Sequence, residues 1–443
     1  MAKRSTAKTD SGMQQTISAS TDELLLAALE QGGDTTKTGR FLMTFKEGAT
    51  NAGIKALQSK RGLRVANARD FKDQAVSLES VGDAQAMVFP EIGVALVGGA
   101  AAAEHGITGA EFVAASDSAA HSVDPEYFMF ASQINAGDYL RGVLRTAEMI
   151  YEDIGAMPGA AALGEDVSAT SVGATWGLTA CRVPASHFNG SGIKVAVLDT
   201  GFDLGHPEFA GRPIVSNSFV GQPVQDLHGH GTHTAGTACG PQSPPGPLQR
   251  YGIAFRAQMF IGKVLSNSGS GTQAQVLAGM NWAVANRCAV ISMSLGAQIP
   301  VQPSYTAAGA AALGAGCLII AAAGNASNRP GTINAAGAPA NSPTIMSVGA
   351  LDSSLRVASF SNGGKIDIAG PGVNTFSSWP RPQLHNTISG TSMATPHVAG
   401  CAALWAQSSA SLRGAALRIK LTSTARHLPL PATDVGAGLV QAP

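Results

Sequence analysis

From Trp176 onward the chain alternates two kinds of segment, and this alternation restricts its fold more than any other feature. Nearly continuous apolar runs, "IKVAVLDTG", "AQMFIGKVL", "AVISMSLG", "CLIIAAAGN" and "IMSVGAL", are separated by stretches that suit helices, among them "TQAQVLAGMNWAVANR" and "TAAGAAALGAG". A strand with no polar face cannot border water on either side. It has to be covered above and below, as in a parallel sheet with crossover helices on both faces. The expected fold class is α/β, a doubly wound and mostly parallel sheet filling residues 172–443. In such sheets functional groups collect beyond the carboxyl ends of the strands.

The chain before this region reads differently. Residues 39–131 mix extended pieces ("RFLMTF", "GLRVANA", "GVALVGG", "HSVDPEYFMFA") with helical ones ("ATNAGIKALQSK", "AAAEHG"). Their order, β-α-β-β-α-β, predicts a small α+β, ferredoxin-like domain. Residues 132–171 read as a connector: Leu140, Val143, Leu144, Ala147 and Ile150 fall on one helical face, and "AMPGAAALGED" suits an exposed, cleavable link. Residues 1–38, polar and ending in "QGGDTTKTG", are expected to be a flexible leader with one helix at 21–30.

Charge excludes whole classes of partner. The sequence has 29 Lys and Arg against 29 Asp and Glu, and only 13% of positions are charged, so no surface for nucleic acid or anionic lipid is expected. No apolar run reaches the roughly 18 residues of a membrane span, and a monomer without nucleic-acid or membrane partners is expected. "LLLAAL" at 24–29 is flanked by Asp22, Glu23 and Glu30, too short and too acidic for a secretory core. With no Sec signal visible, a cytoplasmic site and export by another route both stay open. Five cysteines at 181, 239, 288, 317 and 401 form no CxxC pair, which argues against structural zinc and a disulfide framework. Cys288 and Cys317 each open an apolar run, and either pair or lie buried as free thiols.

Three segments hold residues that can do chemistry together. "VAVLDTG" runs into Asp199, a carboxylate closing a buried strand, which needs a partner because an unpaired buried charge is costly. "HGHGTHTAGTA" offers His228, His230 and His233; a metal shared by His230 and His233 is disfavoured, since the spacing is not HExxH and no acid adjoins it. "GTSMATPHVAG" sets Ser392 at a helix start, where backbone N–H groups and the positive dipole end lie beside its hydroxyl. Alone, Ser392 reads as an N-cap. With the other two it becomes a nucleophile with an imidazole to take its proton and a carboxylate to fix the imidazole's tautomer.

These motifs, "VAVLDTGFDLGHPEF", "HGHGTHTAGT" and "GTSMATPHVAG", resemble those of the subtilisin-like serine proteases, whose triad runs Asp, His, Ser along the chain. The resemblance spans residues 176–407. It implies a serine endopeptidase with Asp199 as the histidine orienter, His230 as general base and acid, and Ser392 as nucleophile, with His228, His233 and His397 in supporting places. It further implies Asn325, at the end of "IIAAAGN", as oxyanion donor together with the Ser392 N–H. Ser294, Leu295 and Gly296 of "ISMSLG" would pair with an extended protein or peptide substrate as an added strand.

"INAAGAPANSP", with Gly337 and Pro339, is similar to the segment lining the pocket for the residue before the cut bond. No acid follows Asn325, so an apolar or aromatic residue is expected there. Residues 39–131 resemble the family's inhibitory propeptide, an intramolecular inhibitor removed by self-processing near Phe130 and Ala131 or within 132–170. The chemistry calls for no cofactor. Structural calcium is a further implication, but "CGPQSPPGPLQRYG" lacks carboxylates and Glu208 of "HPEF" is the one ligand on offer.

Two other readings use the same residues. A pseudoprotease or propeptide-locked protein would keep the connector uncut and use the cleft to bind peptides, a role that does not need Asp, His, Ser and Asn together. A transpeptidase would need a lid to keep water from the acyl-enzyme, and no large insertion adjoins His230 or Ser392.

Overall fold

The computed structural model describes residues 16–31, 34–107, 110–115, 118–131 and 173–443. The connector expected at 132–171, with its helix and processing region, lies outside the described residues. In chain order the strands are β1 (Lys37–Phe45), β2 (Val65–Asn67), β3 (Ala86–Phe89), β4 (Val94–Val97), β5 (Ala120–Phe130), β6 (Lys194–Asp199), β7 (Ile214–Ser218), β8 (Gln258–Lys263), β9 (Ser270–Thr272), β10 (Val290–Met293), β11 (Leu318–Ala322), β12 (Met346–Leu351), β13 (Ile368–Pro371), β14 (Thr375–Ser378) and β15 (His385–Ile388). The helices that position the site are α1 (Thr21–Gln31), α2 (Thr50–Lys55), α3 (Gly99–Glu104), α4 (His230–Cys239), α5 (Gln273–Ala285), α6 (Pro303–Gly314) and α7 (Thr391–Ser408).

Seven strands form one sheet in the order β13-β12-β11-β10-β6-β8-β7, parallel throughout. The apolar runs explain it. Val195 and Val197 of β6 pack on one face with Ala235, Val398 and Ala402, while Ala196 and Leu198 pack on the other with Val276, Leu277 and Ala308. α4 and α7 therefore cover one face and α5 and α6 the other. Each Val or Leu so buried stabilises the fold by about 1.5–3 kcal/mol, which leaves no place on these strands for alternating polarity. The chain order reverses between β10 and β6, the kind of point where open α/β sheets place their sites.

In the small domain β3, β4, β1 and β5 lie side by side, antiparallel, with β2 added at the edge of β3. α2 and α3 belong to the face where Met43, Phe45, Val88 and Ala102 are buried. The opposite face, with Leu42, Met87, Phe89 and Leu96, shares a core with Val276, Tyr305 and Ala308 of the large domain. β5 goes further. Its end pairs antiparallel with β9, Phe128 opposite Thr272, Met129 opposite Gly271 and Phe130 opposite Ser270, so a six-stranded sheet spans both domains.

The leader expected to be flexible through residue 38 is ordered over its second half. α1 buries Leu24 and Leu25 against Phe128 and Phe130, and β1 already begins at Lys37. Arg40 supplies the anchor. Its buried guanidinium donates to Glu126 at 2.6 and 3.0 Å, to Thr272 Oγ1 at 3.1 Å and to the Ile17 carbonyl at 3.0 Å. The five cysteines are all buried and free, Cys288 and Cys317 included. Among the described residues no helix is long and apolar enough to cross a membrane.

Candidate active site

Asp199 ends β6 and is buried. Its Oδ1 accepts the His230 Nδ1–H at 2.7 Å and the Thr200 N–H at 2.7 Å, and its Oδ2 accepts the Thr234 hydroxyl at 3.2 Å. His230 opens α4. The residue before it, Gly229, has φ 97°, and a Cβ there would stand 2.2 Å from the Trp379 ring, so only glycine fits. Burial pulls the His230 pKa down; the Asp199 carboxylate, by charge and by hydrogen bond, outweighs burial and raises it, with Asp226 adding to the effect.

Ser392 lies in the first turn of α7, where its N–H has no acceptor within the helix. Pro396 stands inside the helix, beyond its first turn. It therefore lacks the N–H that would bond the Ser392 carbonyl. The Ser294 hydroxyl supplies the missing donor at 2.6 Å. The Ser392 hydroxyl in turn donates to the carbonyls of Ser294 (3.2 Å) and Ala131 (3.4 Å). A serine so turned is at rest, since contacts with a general base tighten when a reacting carbonyl is in place.

Asn325 follows β11 and reaches the same helix start. Its Oδ1 accepts both the N–H (2.8 Å) and the hydroxyl (2.9 Å) of Thr391. With the oxygen held, the amide is left with Nδ2 as a donor, 3.5 Å from where a Cβ on Gly390 would stand. Gly390 itself is extended, and that Cβ would meet only ordinary contacts.

The segments around these groups form a groove already filled by the chain. Gly296 exchanges both backbone hydrogen bonds with Phe130, at 3.0 and 3.1 Å, and the Ala131 N–H donates to the Gly269 carbonyl at 2.9 Å. Leu295 is buried in the core beneath. Gly337 donates to the Ala323 carbonyl at 3.0 Å, and Ala338 exchanges two 2.9 Å bonds with Ala297. Asn325, Gly296 and Gly337 are thus brought together on uncharged segments.

Two important residues escaped the sequence reading. Asp226 is fully buried and accepts from Thr200 Oγ1 (3.0 Å), the N–H groups of His228 (3.0 Å), Gly229 (2.9 Å) and Thr232 (2.9 Å), and the Thr232 hydroxyl (2.8 Å). It satisfies the Thr232 N–H in the first turn of α4 and the two N–H groups that precede the helix, and so fixes the backbone on either side of His230. An acid just ahead of "LHGHGTH" was the available signal. Lys263, the other, closes β8 beside Asp199. The remaining histidines are structural: His233 donates to the Thr375 carbonyl (3.0 Å) and burial takes its pKa to about 3, while His397 donates to the Met393 carbonyl (2.8 Å) and burial takes its pKa to about 4.

Glu208 is not the open ligand expected. Its Oε1 accepts His385 Nε2–H at 2.7 Å and its Oε2 the Tyr251 hydroxyl. An imidazole N–H and a phenol O–H are donors, so these surroundings do not fit a calcium ion, which wants six to eight oxygens. Among the described residues no group of three or more His, Cys, Asp or Glu side chains is placed to hold a metal.

A family model described as the subtilase family matches residues 190–439. The chain is 39% identical over 309 residues to an alkaline protease of Alkalihalobacillus alcalophilus, covering 67% of this chain and 77% of that protein. It is 41% identical over 274 residues to Subtilisin Savinase of Lederbergia lenta, covering 60% of this chain and 96% of the relative. Among solved structures it is similar to a cold-adapted subtilisin-like serine proteinase, with TM-score 0.51 and 35% identity over 60% of this chain and 96% of that one.

Proposed function

We propose how this chain, which belongs to the subtilase family and is a serine endopeptidase, makes its cut and how it is held back beforehand. Ser392 Oγ attacks the carbonyl carbon of a peptide bond while His230 Nε2 takes its proton. Asp199 keeps the Nδ1–H pointed inward and stabilises the imidazolium as it forms. The Asn325 Nδ2 and the Ser392 N–H receive the oxyanion. His230 then returns the proton to the leaving amine, and water hydrolyses the acyl-enzyme by the reverse sequence. No cofactor enters.

The observation that carries this reading is the end of β5. It lies between β9 and Gly296 as an extended substrate would, with the Ala131 carbonyl against the Ser392 hydroxyl. A segment seated so acts as an intramolecular inhibitor and makes residues 39–131 a propeptide. Antiparallel pairing of Phe130 with Gly296 leads the chain toward Ser294, whose carbonyl holds the Ser392 hydroxyl. That seating supports a self-cut near Phe130 and Ala131. The uncharged Ala297, Ala323, Gly337 and Ala338 support an apolar residue before the cut bond.

The test compares the wild-type chain with Ser392→Ala on a gel, with terminal sequencing and a casein substrate. The wild type should shorten to a mature chain that begins close after Ala131 and hydrolyse casein. Ser392→Ala should stay at 443 residues and lose activity by roughly 10⁶-fold, the loss known for subtilisin itself. A folded wild type that stays uncut and inert would favour the peptide-binding alternative. Processing that persists in Ser392→Ala would assign the cut to another protease.

A further inference from the structure

Asn325 stands beyond the end of β11, in a turn that is neither strand nor helix. Gly324 before it has φ 114°, and Ala326 after it is exposed. A glycine in that conformation lends the chain no stiffness of its own. The turn is gripped from inside by Asn362, which is completely buried. Asn362 Oδ1 accepts the Ala326 N–H and the Ser327 hydroxyl, each at 3.0 Å. Its Nδ2 donates to the Ala323 carbonyl at 3.3 Å and to Gln298 Oε1 at 3.2 Å, and its backbone N–H donates to the Gly324 carbonyl at 2.9 Å. The peptides on both sides of Asn325 are thus fixed to one buried residue, and two donors with two accepted bonds use the whole capacity of its amide.

We propose that Asn362 is a positioning residue of the proteolytic reaction, which sets the turn so that Asn325 Nδ2 faces the oxyanion. The inference rests on the assignment of Asn325 as oxyanion donor. Thr391 holds the tip of Asn325 through its Oδ1, at 2.8 and 2.9 Å. A tip held at one atom still pivots if its backbone moves, and Asn362 removes that freedom at the other end. A donor stabilises the forming oxyanion fully only when it is already in place, and a displacement of about 1 Å at a reacting centre costs on the order of 100-fold in rate.

Asn362→Ala should lower kcat by roughly 10- to 100-fold with KM little changed. Asn362→Asp keeps the accepting oxygen but buries a charge, so it should recover most of the kcat although its Tm falls further. A residue needed only for folding would rank the two variants by Tm. The decisive comparison is made in an Asn325→Leu background, where no donor remains to be positioned: Asn362→Ala should there change kcat by less than about twofold. Ser327→Ala, which removes one partner of the same oxygen without opening the core, should cost a smaller part of kcat and likewise lose its effect beside Asn325→Leu, so the comparison stands even where Asn362→Ala does not fold. Losses as large in the Asn325→Leu background, or losses that fall on KM, would overturn the inference and leave the oxyanion role standing. An Asn325→Leu enzyme with unchanged kcat would overturn the oxyanion assignment itself.

Discussion

At the scale of single residues, a proline and a hydroxyl decide how Ser392 is held. Pro396 deprives the Ser392 carbonyl of its helical donor, and Ser294 replaces it from 98 positions away. Ser294→Ala should leave that buried carbonyl unpaired, at a cost of about 1–3 kcal/mol, seen as a lower Tm and a kcat that falls more than KM changes. Adding Pro396→Ala returns a backbone N–H to the same carbonyl. The rescue in Tm should then exceed the effect of Pro396→Ala alone, and simple additivity of the two changes would refute the link. Asn325→Leu should lower kcat by about 100- to 1,000-fold with KM little altered, the magnitude found when subtilisin loses its own oxyanion asparagine; a loss mainly in KM would remove Asn325 from that role. The meeting of Asp199 with His230, and of Asn325 with the helix start that carries Ser392, was legible because each residue sits in a local motif. The Ser294 hydroxyl, Asp226 and Lys263 were not, because their partners become neighbours only through the fold.

At the scale of elements, the β14–β15 hairpin ties α4 and α7 together. Ser377 and Ser378 donate to the carbonyls of His233 and Thr232 in α4, each at 2.9 Å, and β15 leads directly into Gly390 and α7. The hairpin is pinned from outside by Arg381 on Asp203 (2.8 and 2.9 Å) and by His385 on Glu208 (2.7 Å). Burial alone would raise both carboxyl pKa values. Arg381 and nearby N–H groups hold Asp203 well below its usual range, and His385 with Tyr251 lowers Glu208. Groups depressed in the fold give their full stability above their unfolded pKa values, 3.8 and 4.5, and lose it as pH falls through the folded ones. The Tm should therefore drop below about pH 4.5, and more gently in Glu208→Gln; parallel Tm curves for the two proteins would rule out this contribution. Apolar runs revealed β6, β8 and β10 to β12. They could not reveal this hairpin, whose Ser377, Ser378 and His385 side chains are satisfied by α4 and Glu208, nor β9, whose three residues make a strand because β5 lies beside them.

At the scale of the whole molecule, the tail of the small domain is held from both sides. Met129 and Ala131 enter the core shared with the large domain, while Phe128 and Phe130 face the other way, under Ala19, Leu24 and Leu25. α1 is itself fastened to the large domain through the Thr21 hydroxyl on Gln275, at 2.9 Å. The segment looked like a leader because its polarity is high and its few leucines have no periodic partners nearby; they fold onto two phenylalanines a hundred positions on. If the chain is cut as proposed, release of the tail must also free α1. Each buried leucine contributes about 1.5–3 kcal/mol, and every 1.4 kcal/mol is tenfold in affinity. Leu24→Glu combined with Leu25→Glu should therefore weaken the hold of the cut small domain by at least about tenfold, shortening the lag between self-cutting and full casein hydrolysis. The rate of the cut and the Tm of the mature enzyme should not move, since neither leucine touches Ser392 or remains in the mature chain. A lag unchanged by both substitutions would mean that β5 inhibits alone and α1 merely rides on it.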